Sequence, residues 1–147
     1  MALVEKSVLI ACSDRQIFDL VDRCEDYPLF LPWCSRAELH FRDAAKTVAT
    51  LHVGYRGIRS HFTTENAKKM PERMDIRLVD GPFRHLEGYW AFRNLSETSC
   101  RVEFQMHYEF SSRLFDKMIG PVFNHIANSL VEAFVQRART VYGVAHV

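Results

Sequence analysis

Hydrophobic and polar positions along this chain repeat with two different periods. From 101 to 110, Val102, Phe104, Met106, Tyr108 and Phe110 alternate with Arg101, Glu103, Gln105, His107 and Glu109. A period of two predicts a strand with one dry and one wet face, as in an antiparallel sheet. Residues 86–95 follow suit, with Leu86, Gly88, Trp90 and Phe92 on one face. Residues 73–80 set Met74, Ile76 and Leu78 against Asp75 and Arg77. Weaker alternation predicts strands near 36–42, 47–56 and 58–66. Turn signals at Asp43–Lys46, Gly57, Met70-Pro71-Glu72, Asp80-Gly81-Pro82 and Asn94–Thr98 separate them. Residues 3–12 read as one more strand.

The period changes to three and four in two places. Ser13 followed by Gln16 is a capping-box pattern, and it opens a helix with Ile17, Phe18 and Val21 on one side. From 112 to 142 an apolar stripe runs through Phe115, Ile119, Phe123, Ile126, Leu130, Phe134 and Ala138, predicting a long amphipathic helix with Gly143 as its C-cap. Pro121 lacks an N–H and is expected to bend this helix or split off its first turns. About thirty helical residues span roughly 45 Å. Only the dry face of the sheet is large enough to cover such a stripe. The prediction is therefore an α+β fold in one domain, residues 1–147. A seven-stranded antiparallel sheet wraps around a long C-terminal helix, with short helices after the first strand.

Composition sharpens this picture. Hydrophobic residues make up 48% of 147, enough for a core, and the net charge of +1 argues against a general polyanion binder, DNA included. The basic residues are unevenly spread: Arg36, Arg42, Lys46, Arg56, Arg59, Lys68 and Lys69 face only three acidic residues between 35 and 69. No apolar run approaches the roughly 18–20 residues that span a bilayer. No basic, apolar-cored leader precedes the first strand. The expected setting is the bacterial cytoplasm, with transient contact at the inner membrane surface.

Catalytic signatures are scarce. The sequence has no glycine-rich phosphate loop, H-E-x-x-H or G-x-S-x-G. The seven histidines, His146 among them, show no metal spacing, although His52 and His61 can meet across neighbouring strands. Cys24 and Cys34 flank an aromatic segment, but no activating base lies between them, so packing thiols are expected rather than a redox pair. Large adaptable apolar residues are plentiful instead: eleven Phe, five Tyr, two Trp and five Met. They fill a core or line a deformable cavity.

The segment CEDYPLFLPWC, Cys24–Cys34, is too apolar for an ordinary loop. Pro28 suits the first turn of a short helix and Pro32 its end. Phe30 and Trp33 then either cover a cavity mouth or plug the end of the core.

Four stretches carry a family resemblance: VDRCEDYPLFLPWC (21–34), YRGIRSHFTTE (55–65), DGPFRHLEGYWAF (80–92) and VEAFVQRARTVYG (131–143). On them the chain resembles the START-like (helix-grip) coenzyme Q-binding and ribosome association toxin family, formerly described as polyketide cyclases. The resemblance implies an elongated apolar cavity between sheet and helix. It also implies two functions: binding ubiquinone in support of respiration, or binding the large ribosomal subunit and blocking subunit joining.

Three readings follow. The first is a non-catalytic carrier of a hydrophobic small molecule, with ubiquinone or another lipid as the bound ligand and no cofactor required. Its site is expected at Phe30, Trp33, Tyr55, Phe62, Met74, Trp90, Met106, Phe123, Leu130 and Phe134. The second is a ribosome-associated regulator using the seven basic residues of 35–69 on rRNA phosphates. The third is a polyketide cyclase or aromatase, for which Tyr55, Arg59 and His61 are the polar candidates.

Overall fold

The computed structural model describes residues 2–143; His146 lies outside them. Seven strands, β1 (Ala2–Ile10), β2 (Cys34–Arg42), β3 (Lys46–Tyr55), β4 (Ile58–Lys69), β5 (Arg73–Asp80), β6 (Phe83–Ser96) and β7 (Ser99–Phe110), form one antiparallel sheet in the order β1-β7-β6-β5-β4-β3-β2. Every strand from β2 to β7 pairs with its sequence neighbour, and β1 closes on β7. The helices are α1 (Asp14–Asp22) and α2 (Arg113–Tyr142), with a 3-10 helix at Cys24–Leu29. The predicted α+β, helix-grip architecture is the one observed.

Local chemistry explains the elements. Ser13 Oγ accepts from the Gln16 N–H at 3.1 Å, and Gln16 Oε1 accepts from the Ser13 N–H at 2.9 Å, so the capping box forms. The helix it opens buries Ile17, Phe18, Leu20 and Val21. In β7 the dry residues from Cys100 to Phe110 are all buried in alternation. Gly143 takes φ 65° and caps α2 through its N–H to the Arg139 carbonyl. The β3–β4 hairpin turns on Arg56 and Gly57, both with positive φ, which matches the right-handed strand twist.

Two details bear on the expectations. Of the two outcomes expected at Pro121, a bend or a split, the split does not occur: α2 runs as one helix through it. The lost hydrogen bond is outweighed by burial of Ile119, Phe123 and Ile126 around it. Pro28 is not in a first turn; it is the fifth residue of the 3-10 helix. Strand ends also shift. β4 continues to Lys69 because its pairing with β5 runs on to Lys69 opposite Arg73, so ladder bonds on that side hold its polar end. The first strand stops at Ile10, where pairing with β7 ends.

Candidate ligand-binding site

α2 packs on the sheet at β1, β4 and β7, α1 packs against α2, β6 and β7, and the 3-10 helix packs against β2, all around one core. A cavity of about 70 Å³ remains between them. Its apolar wall comes from Val21, Tyr27 and Trp33 on α1, the 3-10 helix and the segment after it, Ala49, Leu51, Phe62, Ile76, Trp90 and Met106 on the sheet, and Phe123, Ile126, Ala127 and Leu130 on α2.

The ten residues expected to form a site divide. Trp33, Phe62, Trp90, Met106, Phe123 and Leu130 line the cavity. The other four pack around it. Phe30 and Tyr27 stand edge-on to Phe134, at 5.2 and 5.3 Å, and Trp90 meets Phe134 at 5.3 Å, so Phe134 backs the cavity wall. Phe30 also lies under Arg137 at 5.1 Å. Met74 is fully buried opposite Trp90 in the β5–β6 ladder. Tyr55 stacks on His125 at 5.6 Å, outside the cavity. Tyr27 ties the 3-10 helix to α1 by donating from its hydroxyl to the Val21 carbonyl at 2.5 Å.

One end of the cavity is polar, and the apolar-residue reading of the sequence missed it. Asp22, Thr47, Thr64 and Asn66 line it. Asp22 accepts from Thr47 Oγ1 at 2.6 Å and from Lys68 Nζ at 3.2 and 3.4 Å. The Lys68 side chain is only 5% exposed. Arg42 closes the outside, with Nε 3.4 Å from Asp22 and two hydrogen bonds to Glu25 at 2.7 and 2.9 Å. Asn66 Oδ1 is buried and accepts no hydrogen bond, an arrangement that costs about 1–3 kcal/mol. The signal was present in the sequence: Phe62, Thr64, Asn66 and Lys68 share one strand phase.

Electrostatics follow the packing. The hydrogen-bonded Arg42 guanidinium holds the Glu25 carboxyl down at about 2 against the opposing effect of burial. Burial pushes both the Cys24 and Cys34 thiols up to about 11; the Glu25 charge adds to the effect at Cys24. Both thiols are buried and free.

The seven basic residues of 35–69 are not equivalent. Arg42 and Lys68 point at Asp22. Arg36 pairs with Glu38, Lys46 with Glu65 and Lys69 with Glu72 at the surface. Arg56 and Arg59 are exposed at the β3–β4 hairpin and make no ion pair among the described residues. Arg59, His61 and Tyr55 do not line the cavity. His52 and His61 are paired across β3 and β4 with ring centres 5.6 Å apart. Among the described residues no three potential metal ligands cluster. No described helix is long and apolar enough to cross a membrane.

Comparison with known proteins gives a consistent result. Residues 10–135 match the family described as polyketide cyclase / dehydrase and lipid transport. The chain is 39% identical over 143 residues to a ribosome association toxin of Vibrio cholerae, covering 97% of this chain and 99% of that one. It is 28% identical over 142 residues to a mitochondrial coenzyme Q-binding protein homologue of Xenopus laevis, covering 94% and 58%. Among solved structures it resembles the Zhui aromatase/cyclase of a Streptomyces species, with TM-score 0.81, 16% identity and coverage of 98% and 99%.

Proposed function

This chain belongs to the START-like polyketide cyclase / dehydrase and lipid transport family, and from that premise we propose that it is a non-catalytic binding protein for a hydrophobic small molecule, with ubiquinone or a related lipid as the reference ligand. The observation that carries this reading is the wall of the cavity. It is built of aromatic, Met and aliphatic side chains, and its one carboxylate, Asp22, is already held by Thr47 and Lys68. A reacting substrate needs a group free to move a proton, and Asp22 is engaged.

The energetics suit an isoprenoid chain. At about 0.8 kcal/mol per buried CH₂, one five-carbon unit contributes about 4 kcal/mol gross. Association costs about 4–15 kcal/mol. Three or four buried units therefore reach micromolar affinity. The cavity, at about 70 Å³, is smaller than the roughly 150 Å³ cavity that admits benzene. A chain must push side chains apart on binding, and Met106 and Leu130 have the rotamer freedom to yield. Native mass spectrometry of freshly purified protein, followed by organic extraction, tests this. A bound lipid mass at one per chain is expected. Protein that is always empty, and that takes up neither quinone nor fatty-acyl probes, rules the reading out.

A second reading is favoured by a separate observation, the near full-length similarity to a ribosome association toxin. In it the protein binds the large ribosomal subunit. Arg56 and Arg59 are the leading phosphate contacts, with Arg36, Lys46 and Lys69 beside them. Such binding weakens steeply with salt. Co-sedimentation with purified subunits on sucrose gradients at low salt is expected, and its absence there excludes this reading. The two readings are compatible in one cytoplasmic protein.

A further inference from the structure

The cavity-facing row of β4 changes character along its length. It passes from Phe62 through Thr64 and Asn66 to Lys68, over about 20 Å. Lys68 and Thr47 both satisfy Asp22. Asn66 Oδ1 is different: it is buried and accepts nothing among the described residues. Buried oxygens in folded proteins nearly always have a partner. It lies in the cavity wall near Thr64, at the polar end, so a molecule inside the cavity can supply its partner. A water there satisfies it as well, but displacing an ordered water with a group that cannot donate loses affinity. A ligand therefore does best by bringing its own donor to that point.

We propose that the cavity takes an amphiphile of one chemical class, an apolar chain ending in a hydroxyl. The chain lies among Phe62, Trp90, Phe123 and Leu130, and the hydroxyl donates to Asn66 Oδ1 beside Thr64. This inference rests on the reading of the cavity as a ligand site and adds the head group. The shared chemistry has two sources, the phenol of an isoprenoid hydroquinone and the end of a long-chain alcohol. A lipid without a donor, such as an oxidised quinone, an ether or an ester, binds less tightly.

The test measures affinities of the full chain for two matched pairs. The first is decylubiquinol against decylubiquinone, under anaerobic conditions. The second is dodecanol against dodecyl methyl ether. The hydroxyl member is expected to bind about tenfold tighter in at least one pair, and the pair with the larger preference identifies the source. Asn66→Leu is expected to erase that preference while retaining affinity for the ether, with an unchanged or higher Tm because no acceptor is left buried. Asn66→Ala supplies the same readout if the leucine variant does not fold. Equal binding of both members of both pairs by the parent protein overturns the head-group assignment and leaves the cavity reading standing. A preference that survives in the Asn66 variants also overturns it, and a fall in their Tm then assigns Asn66 a structural role. Failure to bind any of the four probes overturns both.

Discussion

Glu25 and Arg42 give the clearest single-residue consequence. The Glu25 carboxyl titrates at about 2 in the folded chain against an ordinary 4.5. A depressed carboxylate stabilises the fold fully above its unfolded value, and that contribution fades as pH falls from about 4.5 to about 2. Glu25→Gln is therefore expected to cost less than about 1 kcal/mol at pH 7, since the pair is partly exposed. The difference from the parent should vanish near pH 2; urea melts at both pH values check it, and an equal loss at both refutes it. The thiols make the opposite case. Burial lifts Cys24 and Cys34 to about 11, so little thiolate forms at pH 8. Iodoacetamide should leave both unmodified in the native protein and label them after unfolding. Rapid native labelling of either contradicts the packing described. These residues also show the limit of reading by type. Cys24 and Cys34 were legible as packing thiols because nothing near them in sequence activates them. Asp22, Thr47 and Lys68 were not, since their pairing joins residues 25 and 46 positions apart.

At the scale of elements, close packing of β6 on β7 leaves no room at Gly88. A Cβ there would sit 2.2 Å from the Gln105 carbonyl oxygen, a backbone atom that cannot rotate away. Gly88→Ala is expected to destabilise by about 3 kcal/mol or more, read as a lower denaturation midpoint; a neutral result would show that this ladder can shift. In α2, Pro121 withholds an N–H from the Lys117 carbonyl inside an otherwise continuous helix. Pro121→Ala should raise stability by about 1–3 kcal/mol. A loss of stability would mean that the proline sets a bend that the packing of Phe123 needs. The elements themselves were legible from period alone, down to the Ser13 capping box and the Gly143 cap. Their ends were less so, because pairing with β5 carried β4 past the expected end near 66 through a polar tail to Lys69.

The whole molecule is one seven-stranded sheet packed on a long helix, and the proposed ligand site is the space left where the two do not fully close. If the cavity is the ligand site, a hundredfold excess of ligand over Kd stabilises the fold by about 2.7 kcal/mol. For a chain of this size that raises Tm by about 5–10 °C; no shift with any apolar probe argues against a ligand that binds only the folded state. The sequence by itself determined the α+β class, the seven strands, the long helix and the apolar supply of the inner surface, because side-chain period and cap chemistry act within a few residues. Of the ten residues expected at a ligand site, Trp33, Phe62, Trp90, Met106, Phe123 and Leu130 line the cavity, since large apolar residues on the inner faces of sheet and helix tend to reach the interior. Only the tertiary structure decided which aromatics wall the cavity and which, like Phe30 and Phe134, back it. It alone turned Arg42 and Lys68 inward to Asp22 and left the Asn66 oxygen buried without a donor. Those outcomes depend on the meeting of α1, β3 and β4, which are distant in sequence, and on the small volume that remains where packing stops short of full closure.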